Sequence, residues 1–264
     1  MELVTEAHPT DSMVAAHSAG RLFLIHRRPG LADCAPSGRI RLDALARWMQ
    51  DVAFADVEDA GLEQIAVWVL RRHRIRVERF PRFGERCEVR TFCSGIGRMW
   101  AERRTTVVPA AAAEADGEPA KPLVESVALW VHLDPERRLP SPVTATEAAV
   151  YEEAMAGRTI PARLRHPRPT SVEREYRWRF RHTDADVADH VNNAAYWEPL
   201  EEELLDYGSE LEQVDAELEF RAAAQPGLKR ILVSGARRWI TDPDSDEVHA
   251  SSLLLQAVTA DSHL

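Results

Sequence analysis

Residues 21–27 (RLFLIHR) read as a strand, and a polar, turn-prone stretch follows with Pro29, Gly30, Asp33, Pro36 and Gly38. From Leu42 the period changes. Leu42, Leu45, Ala46, Met49, Val52, Ala53 and Val57 recur at helical spacing until Gly61. Asp43 lies in the first turn, where an acid suits the helix dipole. Strands are predicted over 65–79, 86–94, 99–108 and 124–133, with a hairpin-like break at 81–84 between the first two. The Ala/Glu/Pro/Gly stretch 109–122 has no large apolar residue to anchor it and reads as a long exposed hairpin loop.

Pro140, Pro142, Pro161, Pro167 and Pro169 bracket a linker that holds a short helix over 144–156. The order then repeats: a strand over 175–181, a polar loop, a helix over 194–207 closed by Gly208, and strands near 216–222, 229–241 and 248–259. Sliding one half over the other sets Arg41-Leu42-Asp43 near His190-Val191-Asn192, and Trp48 on Trp197. Residue identity across the halves is poor, so the repeat is one of element order. The expectation is an α+β chain with a first unit over 18–142, a linker over 143–170 and a second unit over 171–261. In each unit an antiparallel sheet curls around one helix, which covers its apolar face.

Composition agrees with two packed units. The 264 residues are 45% hydrophobic, enough for two cores at ordinary domain size. The formal net charge of −10 argues against unspecific binding to nucleic acid or anionic membrane, which want a basic face. Cys34, Cys87 and Cys93 form no CxxC or Cys/His pattern and read as reduced thiols. Residues 1–19 lack the apolar core of a signal peptide, and no run approaches the ~20 apolar residues of a membrane helix. A soluble, cytoplasmic protein is expected.

The densest candidate chemistry is the loop 181–193, RHTDADVADHVNN, directly before a predicted helix. Free backbone N–H groups at a helix start favour negative charge, and a carboxylate with a histidine beside them could activate water or attack directly. Plain N-capping by Asp and Asn is the competing reading. A calcium loop fails on residues, since Asp189 and Ala195 stand where an EF-hand wants Gly and Glu.

The stretch RHTDADVADHVNNAAYWEPLEE resembles the signature of the acyl-acyl-carrier-protein thioesterases, roughly D-x-D-x-N-x-H-V-N-N-x-x-Y. Residues 38–61 are similar to that family's first helix segment, and residues 68–102 to its following strands, including the P-x-x-G-E turn and the G-x-x-R element. The resemblance spans most of residues 21–258. It implies a double hotdog, two tandem hotdog units, that hydrolyses fatty-acyl thioesters of acyl carrier protein or CoA with no metal or organic cofactor. It places Asp186 on the family's catalytic Asp and His190 on its catalytic His, with the amides of Asn192 and Asn193 as supports. The family's intervening Asn falls on Ala188. The Glu and Cys that follow an L-E-Y-R-like strand fall within Ala222-Ala223-Ala224, after Leu218-Glu219-Phe220-Arg221.

Other residues carry weaker signals. Trp48, Met49 and Trp197, on the two central helices, are candidates for contact with an acyl chain. Arg98 and the run Arg71–Arg76 could meet a carrier's phosphate or acidic helix, although alternating charges also suit the wet face of a sheet. Glu198, Glu201, Glu202 and Glu203 read as a solvated helix face. No nucleophile elbow, P-loop or G-x-G-x-x-G is present. Alternatives to a thioesterase are a hotdog hydratase or dehydratase, whose D-x-N-P-x-H pattern is absent, and an acyl-thioester binding protein weakened in catalysis. The chain is expected to act as a monomer or homodimer.

Overall fold

The computed structural model describes residues 13–16, 19–63, 67–113, 120–161, 163–205 and 209–261. Parts of several expectations lie outside them: most of the N-terminal stretch, the start of the strand at Ile65, the middle of the 109–122 loop and the stop at Gly208.

The first half contributes β1 (Phe23–Arg27), α1 (Leu42–Asp59), β2 (Val67–Val77), β3 (Cys87–Ile96), β4 (Trp100–Pro109), the short α2 (Ala110–Ala113) and β5 (Val124–Leu133). A connector carries α3 (Ala145–Met155). The second half runs β6 (Arg174–Phe180), a 3-10 segment (Asn193–Trp197) leading straight into α4 (Glu198–Leu205), then β7 (Ser209–Phe220), β8 (Gly227–Ser234), β9 (Arg237–Thr241) and β10 (Val248–Asp261).

The ten strands of the described residues join one sheet in the order β1-β3-β4-β5-β2-β7-β10-β9-β8-β6. The two halves read outward from the centre as 2-5-4-3-1 and 7-10-9-8-6, so the repeat is one of pairing as well as of element order. The seam is the antiparallel β2–β7 pair, in which Arg72 faces Glu219 and Arg76 faces Asp215. A local two-fold runs through that seam.

Within the first half, Leu42, Leu45, Ala46, Trp48, Met49 and Val52 bury one face of α1 against Ile75, Val77, Val89, Val107 and Val124 of the sheet. Each such side chain contributes on the order of 1.5–3 kcal/mol. The opposite face keeps Asp51, Phe54 and Glu58 exposed. In the second half Ala194, Ala195, Tyr196, Trp197, Leu200 and Leu204 take the corresponding place, and α1 packs against the 3-10 segment.

Several expectations change. The helix expected over 194–207 opens as a 3-10 segment and becomes α-helical only at Glu198, because Pro199 follows at once and suits the first turn of a new helix. The single strand expected over 229–241 is the hairpin β8–β9, turned at Gly235 with φ 54°. The 109–122 loop is not wholly exposed, since it begins with α2 and buries Ala110. The run Arg71–Arg76 is no wet face. Arg72, His73 and Arg74 are buried, because β2 lies mid-sheet with a core on one side and the connector on the other. Arg74 makes a bidentate pair with Asp215 at 2.7 Å on both arms, the geometry that suits a guanidinium best.

The connector is fastened at both ends by a buried histidine. His132 lies 2.9 Å from the Ser141 hydroxyl and 3.0 Å from Glu147. His166 lies 2.9 Å from the Ser251 hydroxyl and 3.3 Å from Glu217. Thr144 and Glu147 close α3 with a reciprocal capping box.

Candidate active site

The loop leaving β6 is held by its own backbone and by Asp184. The Asp184 carboxylate accepts from the Arg181 amide at 2.6 Å, and its carbonyl accepts from the Asn192 amide at 2.8 Å. Between them the chain folds back in a tight turn. The Asp186 amide donates to the His190 carbonyl at 3.1 Å, and the Asp189 amide to the Asp186 carbonyl at 3.0 Å. Asp189 adopts φ 59°, a left-handed conformation that Asp tolerates better than most residues. The Val191 amide then pins the loop to the Ala224 carbonyl at 2.9 Å.

This geometry aims the Asp186 carboxylate. Oδ1 accepts from the Ala188 amide and Oδ2 from Asn192 Nδ2, both at 2.8 Å. Ala188 therefore supports the carboxylate through its backbone, and Asn192 supplies the side-chain donor. Asn192 also turns its Oδ1 to the Ala194 amide at 2.8 Å, so one carboxamide both caps the helical segment and orients Asp186. His190 Nδ1 lies 3.2 Å from the Val191 carbonyl oxygen. A carbonyl can only accept, so Nδ1 carries a proton, and in the neutral imidazole Nε2 is then the acceptor nitrogen. Asp186, His190, Asn192 and Asn193 are all half-buried.

Replacing Asn192 with Asp keeps the cap but sets a second carboxylate against Asp186. We expect kcat for thioester hydrolysis to fall about 10²-fold, the scale of a small misplacement of a reacting group. Unchanged steady-state kinetics would show that Asn192 does not hold Asp186.

Ala222, Ala223 and Ala224 offer no side-chain chemistry, yet the segment braces the loop from behind. The Ala224 amide donates to the Tyr196 hydroxyl at 3.2 Å. Tyr196 itself lies between Phe180 and Phe220, with ring centroids 5.1 and 5.4 Å away.

The other candidate binding residues are dispersed. Trp48 and Met49 are in the core of the first half and Trp197 in that of the second. Trp197 meets His73 edge-on at 5.6 Å, and burial holds that imidazole neutral, pushing its pKa down to about 3. These residues pack against protein. A void of about 10 Å³ lies beneath α4, between Tyr196, Leu200, Leu218, Ile231 and Ile240, room for about one water. Arg98 is exposed on the β3–β4 turn.

The expected solvated face of α4 is half wrong. Glu202 is exposed, but Glu201 and Glu203 are buried. Glu203 takes two bonds from Arg238, at 2.9 and 2.8 Å. Glu201 takes Arg39 at 2.5 Å and the Leu42 amide at 2.6 Å. Each of the two buried acids pairs with an arginine brought from elsewhere in the fold, which helical periodicity cannot foresee.

Glu198, the first residue of α4, is a carboxyl with a raised pKa. Burial, with Asp43 and Asp184 nearby, pushes its pKa up to about 6 against the opposing pull of Arg181 and Arg41. A carboxyl raised in the folded state leaves stability intact below the unfolded value of about 4.5 and loses it as pH rises towards 6. Glu198→Gln is therefore expected to stabilise by about 1–2 kcal/mol at pH 8 and to give no gain at pH 4, read from denaturant midpoints at the two pH values.

Among the described residues, His166, Glu217 and Glu219 are a group that could offer three donor atoms to a cation. Arg72 already lies 3.6 Å from Glu217, and Arg221 3.5 Å from Glu219. Glu219 also accepts the Arg165 and His166 amides. The group fastens the connector to β7.

Two family models match the chain: the acyl-ACP thioesterase N-terminal domain over residues 31–151 and the acyl-ACP thioesterase C-terminal domain over residues 167–236. The chain belongs to the acyl-ACP thioesterase family. An uncharacterised protein of Mycobacterium tuberculosis strain H37Rv is 23% identical over 217 residues, 82% of this chain and 83% of its own length. Among solved structures, the 12:0-ACP thioesterase of Umbellularia californica superposes with TM-score 0.70 at 18% identity, covering 92% of this chain and 100% of its own. An acyl-ACP thioesterase of Bacteroides thetaiotaomicron gives 0.69 at 16%, covering 88% and 96%. The fold of this family member is thus the double hotdog, as the sequence pattern implied. No helix of the described residues is long and apolar enough to cross a membrane.

Proposed function

We propose that the protein hydrolyses fatty-acyl thioesters at the loop carrying Asp186 and His190. The observation that carries this reading is the aimed carboxylate: both Asp186 oxygens hold a hydrogen bond, and His190 and Asn193 follow on the same short turn. Water donates one O–H to His190 Nε2, which orients it, and attacks the thioester carbon while Asp186 removes its other proton. The carbonyl oxygen gathers charge at the Asn193 amide, where one donor is worth about 3 kcal/mol in the transition state. The C–S bond then breaks, and the proton held by Asp186 passes to the departing thiolate. Family membership supports an acyl group carried on acyl carrier protein, with acyl-CoA as the same chemistry on a smaller carrier.

The test is thiol release from matched acyl-carrier-protein and acyl-CoA substrates of graded chain length. Steady release on either carrier is the expected result. Tight binding without release would replace this reading with an acyl-thioester binding protein, and water addition to an enoyl thioester without release would replace it with a hydratase.

A further inference from the structure

The two halves carry the same turn before their central helix, bond for bond. The Gly30 amide meets the Asp33 carboxylate as the Arg181 amide meets that of Asp184. Ala35 bonds to the Arg39 carbonyl as Asp186 does to that of His190, and Gly38 to Ala35 as Asp189 to Asp186. Ile40 bonds to the Pro81 carbonyl as Val191 does to that of Ala224, and Arg41 to Asp33 as Asn192 to Asp184. Gly38, with φ 83°, even repeats the left-handed step of Asp189. The correspondence is thus Ala35 with Asp186, Arg39 with His190, Arg41 with Asn192 and Leu42 with Asn193. It corrects the slide made on sequence by two places and sets Ala46, not Trp48, on Trp197.

In the first half this turn is occupied. The Glu201 carboxylate, arriving from α4, accepts the Leu42 amide at 2.6 Å and Arg39 at 2.5 Å. A two-fold through β2–β7 makes the central helices antiparallel, so where Leu42 stands against Glu201, Asn193 stands against the residue equally far along α1. That residue is Gln50. Counting along the helices gives the same partner, and the phase agrees: Asp51 and Glu202, the next residues, are both exposed. Gln50 is half-buried, and its side-chain carboxamide makes no hydrogen bond among the described residues.

We propose that Gln50 is a further residue of the catalytic site, reaching from the first half to donate its carboxamide N–H to the thioester carbonyl oxygen beside the Asn193 amide. The inference rests on the thioesterase reading and adds a donor to it. Glu201 marks the position from the other side of the two-fold, as an internal carboxylate bound where the substrate's oxygen would lie. A neutral amide suits the working site, because a carboxylate there would take the Asn193 amide for itself.

The experiment compares wild type, Gln50→Ala and Gln50→Glu in thiol release, and measures their affinity for a ketone isostere of acyl-CoA, with CH₂ in place of sulfur. Gln50→Ala is expected to lower kcat about 10²-fold, as loss of one oxyanion donor does, with KM within about threefold and an unchanged melting curve. Gln50→Glu should be slower still at pH 8, and its rate relative to wild type should recover on acidification as the new carboxyl protonates, which a merely structural role would not produce. Wild-type rates in both variants, or a pH-independent ratio for Gln50→Glu, would overturn the assignment. If wild type releases no thiol, the thioesterase reading fails, and the isostere still decides Gln50: about tenfold weaker binding by Gln50→Ala keeps it at the carbonyl, and equal binding removes it.

Discussion

Asp186→Asn is expected to lower kcat for acyl-thioester hydrolysis at least 10³-fold while leaving the fold intact. The substitution preserves size and the bond from the Ala188 amide, because Asn keeps one acceptor oxygen. It removes the base. Proton transfer by a positioned side chain contributes about 10²–10⁴-fold, and nothing in Ala222–Ala224 offers a substitute. The structural cost is the loss of the bond from Asn192 Nδ2, which then meets a second N–H donor, about 1 kcal/mol, small against whole-chain stability. Circular dichroism and thermal melting should therefore match wild type. A variant that kept even a tenth of the wild-type rate would show that Asp186 is not the base.

The largest effect on stability is expected at Arg39→Met. The guanidinium is fully buried, bonds Glu201 and Glu210, and lies over the Phe80 ring at 5.0 Å. Burial pushes the Glu201 carboxyl up, and Arg39 with the Leu42 amide pulls it back. Without Arg39 an unpaired charge is left inside the protein, which costs about 3–5 kcal/mol. Adding Glu201→Gln removes the stranded charge while keeping an acceptor for the Leu42 amide, so the double variant should regain much of the loss. Guanidinium unfolding midpoints for both variants check this. A double variant no better than Arg39→Met would show that the pair contributes by packing and not by charge.

Much of the fold was legible because periodicity is local. The 18 residues of α1 carry a clean apolar stripe, and β5 runs over the Val-rich, apolar segment Val124–Leu133. Legibility stopped where a long-range partner decides. Glu201 and Glu203 look like a wet helix face until Arg39 and Arg238 are brought to them, and Arg72 and Arg74 look like a wet strand until β7 closes the seam. The 3-10 start of the second helix was hidden because Ala194–Trp197 is as apolar as any α-helical turn. Asp186 and His190 were found through the resemblance. Their supports were not, since a backbone amide at Ala188 has no signature, and Gln50 is marked only by the two-fold.

The Glu201 contact also decides which halves can recognise each other. Two copies of the second half joined along β7 would press Glu201 against His190, into the reacting loop. Two copies of the first would leave Arg39 facing Gln50, a buried cation with no acid to meet. Only the unlike pairing satisfies both positions, which makes this a mutual address written once on each half. Severed in the connector and expressed as two fragments, the chain should assemble one-to-one, and neither fragment should pair with itself.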